Sequence, residues 1–250
     1  MIWCMLHSGS RAAGKNTAEY YDSLAQENMK KIGIPKYPTG LAYLDIHSKA
    51  GQDYLNDMLW CQKYAFQNRE AMLNNVIEVV CGITNSSPDY SKRHNAHHNF
   101  CECTHCKYTD PKTNELIERD LWITRKGATS AKTGEYGIIP GSMGVGSYIV
   151  KGKGNRDSWS SCSHGAGRLM SRTLAKKTIK QDQFELVMSG IVCDTDPNLI
   201  DEAPACYKDL ETVMKDQDAL VEIEHRLLPL INVKGFETST HAKKGKKHEE

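Results

Sequence analysis

The sequence predicts an α+β fold, on three observations. Helical periodicity fills the first third, glycine-separated apolar pieces fill the middle, and helical patterns return after them. Met1 to Leu6 reads as a buried strand running into the polar loop His7-Ser8-Gly9-Ser10-Arg11. A chain seldom opens inside a core strand, because an unpaired buried edge is costly, so this start reads as that of a truncated or split gene. From Lys15 to Ile32, Tyr20, Leu24 and Met29 mark an amphipathic helix that Gly33 and Pro35 stop. Ser48 is positioned to cap a long helix carrying Leu55, Met58, Leu59 and Ala65 and reaching Val80. A polar stretch rich in His, Cys and Asn follows from Ser86 to Asn114, then a strand at Leu121 to Thr124. Lys126 to Gly154 is rich in glycine, with strand-like pieces at Ile138-Ile139 and Tyr148-Ile149-Val150. Further helices are expected from Ala166 to Lys177 and from Tyr207 to Leu228, the latter burying Leu210, Val213 and Met214. The Lys-rich tail, His241 to Glu250, predicts disorder.

Composition restricts the class more than the function. At 250 residues, 39% hydrophobic and 25% charged, the chain can bury a substantial core. A net charge of +1 carries no message, since a nucleic-acid enzyme can confine its positive field to one face. No apolar run approaches the roughly 20 residues of a membrane span, and Met1 to Leu6 is too short for a signal peptide. Nine scattered cysteines without a leader read as reduced thiols or metal ligands, which makes the cytoplasm the expected compartment.

Four strings could carry chemistry. In Ser161-Cys162-Ser163-His164-Gly165-Ala166-Gly167-Arg168, with Arg172 four residues on, glycines permit close approach and a helix opening there would aim N–H groups at an anion. Arg168 and Arg172 would share a helix face and clamp phosphates, with His164 as nucleophile or base. The same string also reads as a Gly-broken turn before a surface helix with two solvated arginines. Pro140-Gly141-Ser142-Met143-Gly144-Val145-Gly146-Ser147 could wrap a phosphate or base edge, or be a plain tight loop. His7 and the cluster His94, His97 and His98 suit a transition metal, although a lone His is usually structural. Cys103 and Cys106 have zinc-knuckle spacing, with Cys101 nearby, but the second pair of a zinc ribbon is absent. Reduced surface thiols are the competing account.

Taken together, these strings resemble the RtcB family of RNA ligases. His7 to Arg11, His97-His98-Asn99-Phe100, Arg125-Lys126-Gly127-Ala128, Pro140 to Gly144, His164 to Arg168, Asp201-Glu202-Ala203-Pro204 with Tyr207-Lys208-Asp209, and Val233-Lys234-Gly235 occur in family order. The resemblance runs from Trp3 to Gly235. It implies a mixed sheet with packed helices in one domain over 1–235, the N-terminal part of the fold missing, and a tail over 236–250. It also implies a GTP- and Mn2+-dependent ligase that joins RNA 2′,3′-cyclic phosphate or 3′-phosphate ends to 5′-hydroxyl ends. His164 becomes the guanylated nucleophile, and His7 and His98 become manganese ligands. Asn99, Pro140, Gly141, Ser142, Met143, Ser147, Gly165, Ala166, Gly167, Tyr207 and Lys234 surround the nucleotide, and Arg11, Arg168 and Arg172 face RNA phosphates.

The chain departs from the family pattern in four places. The family's earlier Asp-x-x-Cys and Asn-His-Phe motifs, which supply further metal ligands, have no counterpart before His7. Thr124 stands where the family has His. Residues 101–114, with Cys101, Cys103 and Cys106 as candidate Zn2+ ligands, look like an insertion, and the chain continues past Lys234-Gly235. The expectation is therefore a ligase half that acts on RNA with a separate chain carrying the missing motifs. An inactive nucleotide- or RNA-binding remnant and a metal-dependent phosphohydrolase are the alternatives.

Overall fold

The structure, a computed structural model, describes residues 1–33 and 41–235. The predicted tail lies outside the described residues. The chain forms two compact units, Met1–Cys101 and Glu102 onward. Helices and small sheets are mixed along the chain, which is the expected α+β class.

The first unit is built on two helices, α1 (Arg11–Lys31) and α2 (Lys49–Thr84). Ser48 caps α2 as its sequence position predicts: its Oγ accepts from Gly51 N at 3.0 Å. Asn85, in the left-handed region at φ 49°, ends it. The buried seam holds Tyr21, Ala25 and Met29 of α1 and Cys61 and Ala65 of α2. Tyr21 Oη donates to Asp57 Oδ2 at 2.7 Å, a bond that pushes the phenol up to about 12. The buried face is thus rotated by one residue from Tyr20 and Leu24 of the predicted stripe. Met1 to Leu6 form no strand, and Met1, Ile2 and Met5 are exposed. Among the described residues no strand pairs with them, and an apolar hexapeptide with no partner strand has no ladder to join.

In the second unit, β1 (Asn99–Thr109, its residues from Glu102 onward) pairs with β2 (Leu116–Lys126) through a turn closed by Asp110 N to Glu115 O. Two short strands, β3 (Ala128–Ser130) and β6 (Ser161–Ser163), pair antiparallel. The central sheet has the order β4 (Tyr136–Pro140), β5 (Ser147–Gly152), β8 (Val221–Leu227), all antiparallel. Ile139, Tyr148, Val150 and Val221 pack there against Leu210 and Met214 of α5 (Leu210–Asp216). A second core gathers Met143, Ala175 of α3 (Arg172–Thr178), Phe184 and the adjoining Met188 of α4 (Gln181–Val187), Leu199 and Ile200 of the short helix Pro197–Glu202, Cys206 of the short helix Pro204–Cys206, and Ala203 between them. A parallel pair, β7 (Val192–Cys193) with β9 (Ile231–Asn232), carries the chain toward Lys234.

Two predicted helices are corrected. The helix expected from Ala166 begins only at Arg172, capped by Ser171, because Gly167 sits at φ +74° and Arg168 is held in an antiparallel bridge to Tyr207. Arg168 and Arg172 therefore share no helix face, and no helix opens at His164. The helix expected over 207–228 is α5 followed by β8. Val-Glu-Ile-Glu alternates with period two, and that pattern pairs with β5. Among the described residues, no helix is long and apolar enough to cross a membrane.

Candidate active site

The β3–β6 ladder places Ala128 opposite Ser163, so the next residues out, Gly127 and His164, face one another. Gly127 takes φ +72°, a conformation other residues rarely adopt. Its carbonyl accepts from the His164 backbone N–H at 3.4 Å and from ring Nδ1 at 2.7 Å. A carbonyl can only accept, so Nδ1 carries a proton, and of the two neutral tautomers this contact admits the one with its lone pair on Nε2. Backbone geometry thereby selects the tautomer protonated at Nδ1. Buried Gln217 supports the turn by accepting from Ser163 N at 2.9 Å. Arg125, 3% exposed, fastens β2 behind it through Ser161 Oγ (2.9 Å), Trp159 O (3.2 Å) and Glu102 Oε1 (2.7 Å).

The two predicted glycine loops are neighbours. Ala166 N donates to Pro140 O at 3.1 Å, and Gly141 N closes the Pro140–Ser147 turn on Gly146 O at 2.8 Å. Met143 anchors this turn in the second core, while Ser147 enters β5 opposite both Pro140 and Leu227. Ser142 Oγ is buried with no hydrogen-bond partner among the described residues. An unsatisfied buried hydroxyl costs about 1–3 kcal/mol, so a polar ligand group would be stabilised there.

A third feature centres on Glu202, which with Asp201 is buried. Tyr207 Oη donates to Glu202 Oε2 at 2.7 Å, Lys234 Nζ reaches the same oxygen at 3.0 Å, and Arg172 Nη1 lies 3.0 Å from Oε1. Burial works to raise the Glu202 carboxyl, but these donors and charges outweigh it and hold it below the usual carboxylate range. Burial and the bond to Glu202 push Tyr207 up to about 12, so it remains a neutral donor. Arg172 also pairs with Asp201 at 2.7 Å. Arg168 is turned inward, donating to Met170 O, Tyr207 Oη and Asp201 O, with its guanidinium 5.0 Å from the Tyr207 ring centroid. Sequence reasoning missed Glu202 as the hub, although it lies in a quoted motif.

In the first unit, His7 and His98 converge, Nε2 to Nε2, at 2.7 Å with ring centroids 4.8 Å apart. Residues 91 positions apart are thus brought to hydrogen-bonding distance, one ring donating to the other. His97 turns instead to Arg69, whose Nη2 lies 3.4 Å from its Nδ1. Burial, then the nearby Arg69 charge, lowers the His97 pKa. Asn99 is exposed at the start of β1, and Arg11 is exposed at the first residue of α1 with φ +53°. Among the described residues no group of three His, Cys, Asp or Glu side chains is arranged to hold a metal.

The cysteine spacing is realised differently from a knuckle. Cys101, Cys103 and Cys106 lie on β1, where side chains alternate between faces, so Cys103 and Cys106 point to opposite sides. A knuckle needs a turn at that spacing and the chain supplies an extended strand. His105, on the Cys103 face, binds Asp120 through Nδ1 (2.9 Å) and Glu118 through Nε2 (2.8 Å).

Residues 1–235 match the family described as "tRNA-splicing ligase RtcB". The RNA-splicing ligase RtcB of Escherichia coli K12 is 39% identical over 239 residues, covering 94% of this chain and 56% of that protein. The tRNA-splicing ligase RtcB of Aeropyrum pernix is 32% identical over 231 residues, covering 84% and 47%. The RNA-splicing ligase RtcB of Mycobacterium tuberculosis is 29% identical over 253 residues, covering 94% and 57%. The chain spans about half the length of the curated relatives it matches. With the family pattern matched from residue 1 to residue 235, the chain belongs to the RtcB family.

Proposed function

We propose that this chain is the nucleotide-transfer portion of an RNA ligase that joins 2′,3′-cyclic phosphate or 3′-phosphate ends to 5′-hydroxyl ends. The observation that carries the reading is the Gly127 carbonyl on His164 Nδ1, which puts the lone pair of a neutral ring on Nε2, in a turn whose Ala166 N–H bonds to Pro140 O. Nε2 attacks the α-phosphorus of GTP; an N–P bond forms and pyrophosphate leaves. An oxygen of the RNA 3′-phosphate then attacks that phosphorus, the N–P bond breaks, and GMP passes to the RNA. The 5′-hydroxyl of the second strand attacks the activated phosphate, loses its proton, and GMP departs. An end closed as a 2′,3′-cyclic phosphate takes up water before entering this sequence.

Pro140 to Met143, Ser147 and Gly165 to Gly167 would hold the nucleotide, with Ser142 Oγ a hydroxyl in need of a partner. Tyr207 and Lys234, joined through Glu202, would bound its base; Asn99, which the resemblance adds to the nucleotide set, lies in the first unit. Arg11 and Arg172 are exposed and suited to RNA phosphates, which confer affinity without sequence specificity. Arg168 serves the same region from within, by fixing Tyr207. His7 and His98 would hold Mn2+, which when bound polarises phosphate oxygens and offsets their developing charge. The further ligands would come from a separate polypeptide carrying the Asp-x-x-Cys and Asn-His-Phe motifs.

The test is incubation with α-labelled GTP and Mn2+, with and without such a polypeptide. Label on His164 only when the polypeptide is present supports a split ligase. No label under either condition refutes the ligase reading, and GTP-independent phosphate release points to a phosphohydrolase.

A further inference from the structure

Arg69 lies in the middle of α2, and each end of its guanidinium meets a different loop. Nη1 donates to Ser8 O at 3.4 Å, on the loop that begins with His7. Nε donates to Asn95 Oδ1 at 2.7 Å and Nη2 approaches His97 Nδ1 at 3.4 Å, on the loop that ends with His98. Its neighbours on the helix repeat the pattern. Asn68 Nδ2 donates to Gly9 O (3.1 Å) and Ser8 Oγ (3.3 Å) on the first loop. Glu70 accepts from Asn95 Nδ2 (2.6 Å) and pairs with Arg93 (2.8 Å) on the second. Neither loop belongs to a regular element before β1, so backbone ladders do not fix their separation.

We infer that Arg69 is the positioning residue that sets the spacing of His7 and His98, with Asn68 holding the His7 side of the same clamp. A planar guanidinium with donors in a fixed fork suits this task, because it fixes both loops relative to one rigid helix at once. Arg69 touches neither ring that forms the pair. It acts through the loops, as partners behind a metal ligand generally do. The inference rests on the manganese reading for its purpose, but not for its geometry.

The test uses the full chain with 15N-labelled histidine rings. Long-range proton–nitrogen NMR without metal reads the shared Nε2 proton of His7 and His98. Mn2+ alone is then titrated and the free ion followed by electron paramagnetic resonance. Arg69→Met is expected to abolish the shared-proton signature and weaken Mn2+ binding about 10- to 100-fold. Asn68→Ala is expected to shift the His7 ring signals more than those of His98, and Arg69→Lys to restore the signature in part. Tyr21→Phe, which removes a helix–helix hydrogen bond of the same unit, serves as the control for general destabilisation. Wild-type ring signals and Mn2+ affinity in Arg69→Met overturn the inference. So does an equal effect of Tyr21→Phe, or a wild-type chain that lacks the signature. If the ring signals shift in Arg69→Met while the wild-type chain binds no Mn2+, the positioning role stands and the manganese reading fails.

Discussion

His164 and the His7–His98 pair both enter the proposed function, yet they are held in place by different means. His164 extends a β-ladder, and its tautomer is set by a backbone carbonyl whose position the register fixes. His7 and His98 sit on irregular segments, and helix side chains hold those segments apart at the right distance. Backbone-fixed chemistry is insensitive to most surrounding side chains but sensitive to the conformation of one glycine. Side-chain-fixed chemistry has the opposite weakness.

The largest expected effect comes from His164→Ala, which removes the proposed nucleophile and should abolish covalent GMP labelling in the complemented reaction. The hydrogen bond to the Gly127 carbonyl that it loses should cost about 1 kcal/mol of stability. Persistent labelling of this variant would displace His164 from its role. Next comes Phe184→Ala. Phe184 is fully buried in the core that anchors Met143, and the cavity should cost about 3–5 kcal/mol in denaturant unfolding. Labelling should fall with it, since Met143 carries Ser142 into place. A loss below about 1 kcal/mol would mean that the core collapses around the gap.

Gly127→Ala separates backbone conformation from packing. A Cβ there would meet His164 only at 3.7 Å, ordinary contact, so the expected penalty comes from φ +72° alone, about 1–2 kcal/mol. The guanylation rate should fall while the His7–His98 ring signals stay as they are. An unchanged rate would show that the carbonyl does not set the tautomer, and would remove the distinction between the two sites.

The sequence made some of this legible and concealed the rest for identifiable reasons. Ser48 announced α2 because a cap followed by a long periodic run has few other solutions. The strands at Ile138-Ile139 and Tyr148-Ile149-Val150 were visible because short apolar runs bounded by glycine suit a buried sheet. The segment after His164 was misread as helix because Arg168 and Arg172 have helical spacing, and only the bridge to Tyr207 makes it extended. The pairing of His7 with His98 required the resemblance, since nothing local links residues 91 apart. Arg69 gave no signal, because one arginine on a long helix looks like any solvated charge. Glu202 was quoted within a motif, but its role follows only from Tyr207, Lys234 and Arg172 converging on it.

The smallest expected effect concerns pH and that same carboxylate. Glu202 is held below the usual range in the folded chain, so the folded state binds its proton less readily than the unfolded state. Its contribution to stability is therefore complete above the ordinary carboxylate value of about 4.3 and is lost as pH falls through the depressed folded value. In that window the group adds up to about 1.4 kcal/mol per pH unit to the slope of stability against pH. Glu202→Gln should flatten the acid limb of a pH–stability curve while leaving the neutral region lower, since Lys234 and Arg172 lose a shared anion. An acid limb of unchanged slope would show that Glu202 titrates alike in both states. The triangle of Tyr207, Lys234 and Arg172 would then be geometry without an electrostatic contribution.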